Sequence, residues 1–282
     1  MIDLHTHSNC SDGSMTPSEL IIHAKNSGLT AIALTDHDTT VGIKSAMDMA
    51  LKVGITLIPG VEISTEAESQ VHILGYFIDP ENAVLQNSFV KQQNERAINF
   101  QKYIKKLNEY GFTMTAEEVL AHAPAGYVGR AHYARVMMDK GYVSSVKEAF
   151  DRYLGIGMPC YIKREVMDPV TAIENVHAAG GIAFFAHPHQ TKLPDDKLYA
   201  LMKRLAEAGL DGVEGYYPEY NDEMGEKFRA WAMSLGLILS GGSDFHAKMK
   251  PHIQIGRGIS DNLCVPSSVL EKMIEKVQSK KF

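Results

Sequence analysis

Seven short apolar runs, spread from residue 2 to residue 240, constrain this chain more than any other feature. Ile2–His5, Thr30–Thr35, Thr56–Ile63, Val71–Phe77, Ile182–Ala186, a run within Leu210–Tyr217, and Leu237–Ser240 read as buried strands, because each is brief and bounded by turn or charged residues. Helical stretches with legible starts lie between most of them. Thr16-Pro17-Ser18-Glu19 is a capping box with proline at the first helical position, and Gly28 ends the helix it opens. Buried strands that alternate with helices predict parallel strands joined by helical crossovers, and seven such strands can close a barrel. The expected fold is α/β, a seven-stranded (β/α)7 barrel.

The rhythm breaks once. From about Asn82 no strand-like run returns until Gly181. Val84 to Tyr110 is helical by spacing, Thr115-Ala116-Glu117-Glu118 and Ser145-Val146-Lys147-Glu148 are further capping boxes, and a helix is predicted from about Arg130 to Lys140 between them. Residues 84–161 are too long for a simple loop and are expected to form an inserted helical subdomain over the active-site mouth. The barrel then comprises residues 1–83 and 162–282.

Chemistry-bearing residues gather at the strand ends. Alternate residues of a strand share a face, so His5 and His7 project together, and Asp12 follows in a Ser/Asp/Gly turn. His37 follows the second strand, Glu62 stands near the end of the third, and His72 opens the fourth. His187 follows the fifth strand, and Asp244 and His246 follow the seventh. Histidine and carboxylate are the usual ligands of zinc, manganese and iron, and barrel enzymes collect their chemistry at the C-terminal strand ends. Nine such residues suit three divalent ions. His23, His122 and His177 fall within helical segments and read as packing or surface residues. Asp36 and Glu214 read as groups that orient ligands.

Composition narrows the classes. With 282 residues, 45% hydrophobic and 22% charged, the chain is long enough to bury a core without disulfides. A net charge of −6 excludes a broad basic surface for duplex nucleic acid while leaving room for a local cationic pocket. Cys10, Cys160 and Cys264 lack metal-binding spacing and fit a reducing compartment, so the expected location is cytoplasmic. No apolar stretch approaches the roughly 20 residues of a membrane span, and the N-terminus carries Asp3, His5 and His7 where a signal peptide needs apolar residues.

The motifs Asp3-Leu4-His5-Thr6-His7-Ser8, Thr35-Asp36-His37, Gly60-Val61-Glu62, His72, Ala186-His187-Pro188 and Gly242-Ser243-Asp244-Phe245-His246 together resemble the PHP (polymerase and histidinol phosphatase) family of metal-dependent phosphoesterases. The likeness covers nearly the whole chain and implies a distorted seven-stranded barrel. Within the family it points to the members that remove the 3′-phosphate of nucleoside 3′,5′-bisphosphates, some of which trim short 5′-phosphorylated oligonucleotides. It implies a first ion at His5, His7, Glu62 and Asp244, a second at Glu62, His72 and His187, and a third at Asp12, His37 and His246. Family members often have histidine where this chain has Asp12, a change that favours manganese or iron over zinc at that position. Glu62, Asp244 and His246 are the expected catalytic residues of an attack on phosphorus by metal-activated hydroxide. Gly129-Arg130-Ala131-His132 and Pro159-Cys160-Tyr161-Ile162-Lys163 resemble the substrate-facing segments, so Arg130 and Lys163 are the expected phosphate clamps, with His132 and Arg135 as weaker additions. The expected partner is a small phosphorylated nucleotide or a short single-stranded oligonucleotide.

Three rivals stand beside this reading. One is hydrolysis of histidinol phosphate. Another is an amidohydrolase-type C–N hydrolase, also a barrel with a His-x-His pair, which has no need of Asp12, His37 and His246 as further ligands. The third is a non-catalytic nucleotide-binding module, which has no need of three ions.

Overall fold

A computed structural model of the chain describes residues 1–123, 128–162 and 166–280. Its seven strands form one sheet whose spatial order is their order in the chain: β1 (Ile2–Asp3), β2 (Ala31–Leu34), β3 (Thr56–Glu66), β4 (Gln70–Tyr76), β5 (Ile182–Phe185), β6 (Gly212–Tyr216) and β7 (Ile238–Gly241). Helices α1 (Pro17–Asn26) and α2 (Ile43–Val53) connect β1, β2 and β3. Between β4 and β5 come α3 (Ala83–Glu109), α4 (Ala116–Ala121), α5 (Arg130–Asp139), α6 (Val146–Ala149), a π-helical turn (Phe150–Leu154) and α7 (Pro169–Ala178). Helices α8 (Asp195–Glu207), α9 (Asp222–Ser234) and α10 (Ser267–Ser279) complete the chain.

Most pairings are parallel, but β4 runs antiparallel to both β3 and β5, which corrects the expectation of parallel strands throughout. Only residues 67–69 separate β3 from β4, whereas a parallel crossover needs about a dozen residues. The chain has to turn straight back. Reversal of β4 explains why His72, alone among the candidate ligands, sits at the start of its strand: His72 pairs with Ser64, two residues beyond Glu62, at the same end of the sheet as the others.

β1 is shorter than the sequence suggested. Past Asp3 the backbone also bonds to the end of β7 and the segment after it: Leu4 N–H donates to the Gly241 carbonyl (3.1 Å), Asp244 N–H to His5 (2.8 Å) and His7 N–H to Phe245 (2.9 Å). These bonds join the first and last strands of the curled sheet without a regular ladder. Asp3, fully buried, fastens the junction by accepting from the Ser243 N–H (2.9 Å), the Ser243 hydroxyl and the Gly256 N–H (2.7 Å).

Strand alternation divides the core. Ile73 and Phe185 face the outer helices in one apolar cluster, while Leu74 and Phe184 pack with Leu4, Ile58 and, from α10, Met273 and Val277 in another. A third cluster belongs to the helices between β4 and β5, uniting Tyr103, Leu107, Phe112, Val119, Tyr133, Met137 and Leu154. No helix among the described residues is long and apolar enough to cross a membrane.

Candidate metal centre

The nine residues singled out at the strand ends converge on Glu62, which β3 delivers fully buried to the mouth of the curled sheet. Glu62 Oε1 lies 2.7 Å from His72 Nδ1 and 2.8 Å from His187 Nε2. Its Oε2 lies 3.2 Å from both His5 Nε2 and His7 Nε2, and 3.3 Å from His37 Nδ1. Asp244 Oδ1 is 3.2 Å from His7 Nε2 and 3.6 Å from His5 Nε2, while His5 Nε2 and His7 Nε2 are 3.1 Å apart. A tetrahedral ion with bonds of about 2.0–2.1 Å requires ligand atoms about 3.4 Å apart. The separations given for His5, His7, Glu62 and Asp244, 3.1–3.6 Å, are close to that spacing.

Two further groups adjoin the first. His7, Asp12, His37 and His246 form one, with His246 Nε2 3.0 Å and His37 Nε2 3.8 Å from the Asp12 carboxylate. His37, Glu62 and His72 form the other, and His187 reaches the same Glu62 oxygen as His72. His37 therefore stands between two groups, with one ring nitrogen toward Glu62 and the other toward Asp12. The motifs imply His37 only in the third site, with Asp12 and His246.

Charge in the centre favours cations. Burial pushes the Glu62 carboxyl up, but His37, His72 and His5 together hold it well below the usual range. Asp12, likewise pushed up by burial, is held well down by His246 and His37, and Asp244 by Lys250, His246 and His5. Burial opposes protonation of His7, yet its bonds to Asp244 and Glu62 raise it to about 9. His5 is also raised well above its ordinary value by Glu214 and Glu62 against the effect of burial. Ionised carboxylates that draw protons onto buried imidazoles are a donor set suited to divalent ions.

Residues outside the nine fix the rings. Glu214 accepts from His5 Nδ1 (2.9 Å) and from the His187 N–H (2.8 Å), so His5 presents Nε2 inward. His246 Nδ1 donates to the Asp244 carbonyl (2.7 Å), which directs its Nε2 at Asp12. A hydrogen bond on the far nitrogen is the usual means of orienting a ligand imidazole. Asp36 holds the ligand loop itself, accepting from the Ser8 N–H (2.7 Å), the Ser8 hydroxyl (2.6 Å) and the Ser11 hydroxyl (2.7 Å). Three residues went unnoticed in the sequence. Tyr217 hydroxyl (2.7 Å) and Lys250 ammonium (2.6 Å) both donate to Asp244 Oδ2, leaving Oδ1 to the histidines, and Gln70 contacts His72 Nε2 (2.8 Å). Gln70 had a signal, being two positions from His72 on one strand face, whereas Tyr217 is brought to Asp244 only by the fold.

A cavity of about 290 Å³ opens beside the centre, with Asp12, His37 and His72 in its wall. Its wall also draws on α3, α5 and the π turn: Arg96, Phe100, Tyr103, Arg130, Tyr133 and Phe150. Arg130 lies across the faces of Phe150 and Tyr161, and donates to the Leu154 carbonyl (3.2 Å) and to Gln70 Oε1 (2.6 Å). Arg96, absent from the sequence reading, ion-pairs with Asp38 at the cavity wall. Arg135 and His132, also expected to bind substrate, lie elsewhere. Arg135, five positions from Arg130 on α5, turns to Asp139 (3.7 Å) and does not line the cavity. A helix rotates about 500° over five residues, so the two arginines cannot share a face. His132 is buried and its Nδ1 accepts from the Gly129 N–H (3.0 Å), a capping contact at the start of α5. Lys163 lies outside the described residues.

Comparison with known proteins adds to this geometry. The family model for the PHP domain matches residues 3–159. A 5′-3′ exoribonuclease from Haemophilus influenzae is 40% identical over 248 residues, 86% of this chain and 89% of the relative. A 3′,5′-nucleoside bisphosphate phosphatase from Chromobacterium violaceum is 32% identical over 248 residues, 87% of each chain. A solved structure described as an amidohydrolase from Chromobacterium violaceum, with bound sulfate and no metal, has a TM-score of 0.88 at 30% identity and covers 98% of this chain and 96% of its own.

Proposed function

The chain belongs to the PHP domain family and is a metal-dependent phosphoesterase, and from that premise we propose that it hydrolyses the 3′-phosphate of nucleoside 3′,5′-bisphosphates and accepts short 5′-phosphorylated single strands. The single observation that carries the substrate reading is the pairing of a buried histidine–carboxylate centre with a cavity whose wall also holds Arg130. The wall at Asp12, His37 and His72 suits the phosphate that reacts, and Arg130 suits a second anionic group. A volume of about 290 Å³ is at the lower limit of small-molecule sites and matches one nucleotide rather than a duplex.

By the resemblance of the motifs, His5, His7, Glu62 and Asp244 would hold a first ion, Glu62, His72 and His187 a second, and Asp12, His37 and His246 a third. Divalent ions there lower the pKa of water and neutralise phosphate charge. The chain's own groups do the rest. Glu62 keeps two ligand groups in register through its two oxygens. Asp244, with its second oxygen tied to Tyr217 and Lys250, offers the other oxygen in a fixed direction. Arg130, seated between two aromatic rings, takes the second phosphate in a bidentate grip, with Lys163 as the companion cation. Phe100, Tyr103 and Tyr133 offer apolar and aromatic surface to the nucleoside, and the helices of residues 84–161 act as an insertion over the mouth.

The test is a phosphate-release screen with Mn²⁺ over nucleoside monophosphates, 3′,5′-bisphosphates, short 5′-phosphorylated RNAs and histidinol phosphate. Bisphosphates are expected to lead, Glu62→Ala to lose at least about a thousandfold in rate, and Arg130→Ala to remove the preference for the second phosphate. Release of amine from amides without release of phosphate from any ester would overturn the reading, and a lead by histidinol phosphate would reassign the substrate.

A further inference from the structure

Two buried polar side chains of the cavity wall, Asn99 on α3 and Tyr133 on α5, make no side-chain hydrogen bond among the described residues. They are only 5% and 2% exposed. Packing encloses the Tyr76 hydroxyl completely but not these two polar ends, so the open space they meet is the cavity. A carboxamide carries an acceptor and two donors, and a phenol can both donate and accept. Burial raises the Tyr133 phenol above its ordinary value, which keeps its proton in place to be donated. A polar group buried without a partner costs free energy that a bound ligand can recover.

The place of Asn99 along α3 decides which part of a ligand it meets. One turn earlier, Arg96 bonds to Asp38, the neighbour of His37, and reaches Ser64 Oγ (3.4 Å), whose residue pairs with His72 across β3 and β4. That turn of the helix stands at the metal centre. One turn later comes Tyr103, whose ring stacks on Tyr133 with centroids 4.9 Å apart, and the Phe100 ring lies 6.3 Å from Tyr133. Asn99 is therefore about 4.5 Å farther along the helix axis than Arg96, beside the aromatic part of the wall. On α5, Tyr133 stands three residues after Arg130, so the two share a face. The cavity thus has three kinds of wall: metal ligands, a guanidinium, and a carboxamide and phenol set among aromatic rings. A ribose that bears a 3′-phosphate, a 5′-phosphate and a base has three arms of the matching kinds. We propose that Asn99 is a specificity-determining residue that, with the Tyr133 hydroxyl, hydrogen-bonds the edge of the nucleobase while the rings around them cover its faces. Unpaired bases are read in this way, with aromatic rings against their faces and polar side chains at their edges. A wall rich in rings favours a planar base over a ribose hydroxyl as the occupant. The inference rests on the proposed nucleotide substrate.

The experiment measures Kd by calorimetry, in Mn²⁺-loaded protein, for adenosine 5′-monophosphate and for ribose 5-phosphate, which carries a hydroxyl where the nucleotide carries its base. The nucleotide is expected to bind about fiftyfold more tightly to the wild-type protein. Asn99→Leu, close to asparagine in size and a good helix former, is expected to cut that ratio about tenfold by weakening the nucleotide alone. Tyr133→Phe keeps the ring and its stacking, and is expected to cut the ratio about threefold. Should Asn99→Leu fail to fold, Tyr133→Phe decides by the same reading. A wild-type ratio near one, a ratio that folded Asn99→Leu leaves intact, or a variant that loses both ligands alike would overturn the inference. Hydrolysis does not enter this measurement. If an ester without a base leads the phosphate-release screen, the substrate reading fails there, while the Kd ratio still judges Asn99.

Discussion

At the scale of single residues the centre depends on strained or buried groups that have no value outside it. Asp38, His187 and Asp244 have positive φ of 50°, 27° and 54°, a conformation that costs roughly 1–3 kcal/mol in a non-glycine residue and persists only where surrounding bonds over-determine it. Asp38 is held by the Ser64 N–H (2.8 Å), Gln92 Nε2 (3.0 Å) and Arg96, and Asp244 by Tyr217 and Lys250. Glu214 is the clearest supporting group, since one carboxylate orients the His5 ring and the His187 backbone together. Glu214→Ala is expected to fold and to lose about 10- to 100-fold in metal affinity. Titration of metal into chelator-treated protein checks this, and an unchanged affinity would deny Glu214 its orienting role. The ligand types were legible because histidine and carboxylate carry their chemistry wherever they stand. Lys250 and Tyr217 were not, since an ordinary lysine or tyrosine acquires a role only from what it touches.

At the scale of elements the strand ends place the chemistry and close packing keeps the strands in line. Gly212 opens β6 against the Phe184 ring, where an added Cβ would stand 2.2 Å from Cε1 and 2.5 Å from the Ile238 carbonyl oxygen. Gly212→Ala is therefore expected to destabilise the protein by about 1–3 kcal/mol, through overpacking between β5, β6 and β7, measured as a lower midpoint in chemical denaturation. At the same end of that strand pair, buried Asp211 accepts from the Ala183 N–H (2.9 Å), from His177 Nε2 (2.8 Å) and from Lys280 at the end of α10 (2.8 Å). Burial pushes the Asp211 carboxyl up, but His177 and Lys280 bring it below its ordinary value. A depressed carboxylate contributes stability that is whole above its unfolded pKa of about 3.9 and is lost as pH falls through the folded value. Acid is therefore expected to loosen α10 below about pH 4, and Asp211→Ala, which orphans the Ala183 N–H, to cost about 1–3 kcal/mol at neutral pH. Hydrogen exchange in α10 reads both effects; protection unchanged in the variant would show that the helix is held by its apolar face alone. The capping residues were legible in the sequence, and the Thr16–Glu19 and Thr115–Glu118 boxes form as read. Ser145 caps α6, but the Glu148 carboxylate accepts from Ser144 instead of completing the box. The direction of β4 escaped the reading because alternation of buried residues is the same whichever way a strand runs.

At the scale of the whole molecule the two ends of the chain must meet before the centre exists. His5 and His7 belong to the first turn of the sequence and Asp244 and His246 to its last third, and they are joined by backbone bonds from Leu4, His7 and Asp244 and by Asp3 beneath them. Ions that bind only the assembled centre stabilise the folded state by mass action, by about 2.7 kcal/mol at a hundred times the Kd. Removal of metal by a chelator is expected to lower Tm by roughly 5 °C, with recovery on adding Mn²⁺; a Tm indifferent to proven loss of metal would mean that the ligands are held rigid without it. The sequence by itself determined the α/β class, the number of strands, the helical interruption and the residues able to ligate, because periodicity, caps and side-chain chemistry are local properties. The tertiary structure alone sets which oxygen of Glu62 meets which ring, that His37 is shared between two groups, that Glu214 orients the His5 ring and the His187 backbone, and that Tyr217 and Lys250 hold Asp244. Those are contacts between atoms up to 209 positions apart in the chain, and their partners are set by the curl of the sheet and the direction of β4, which no local pattern encodes.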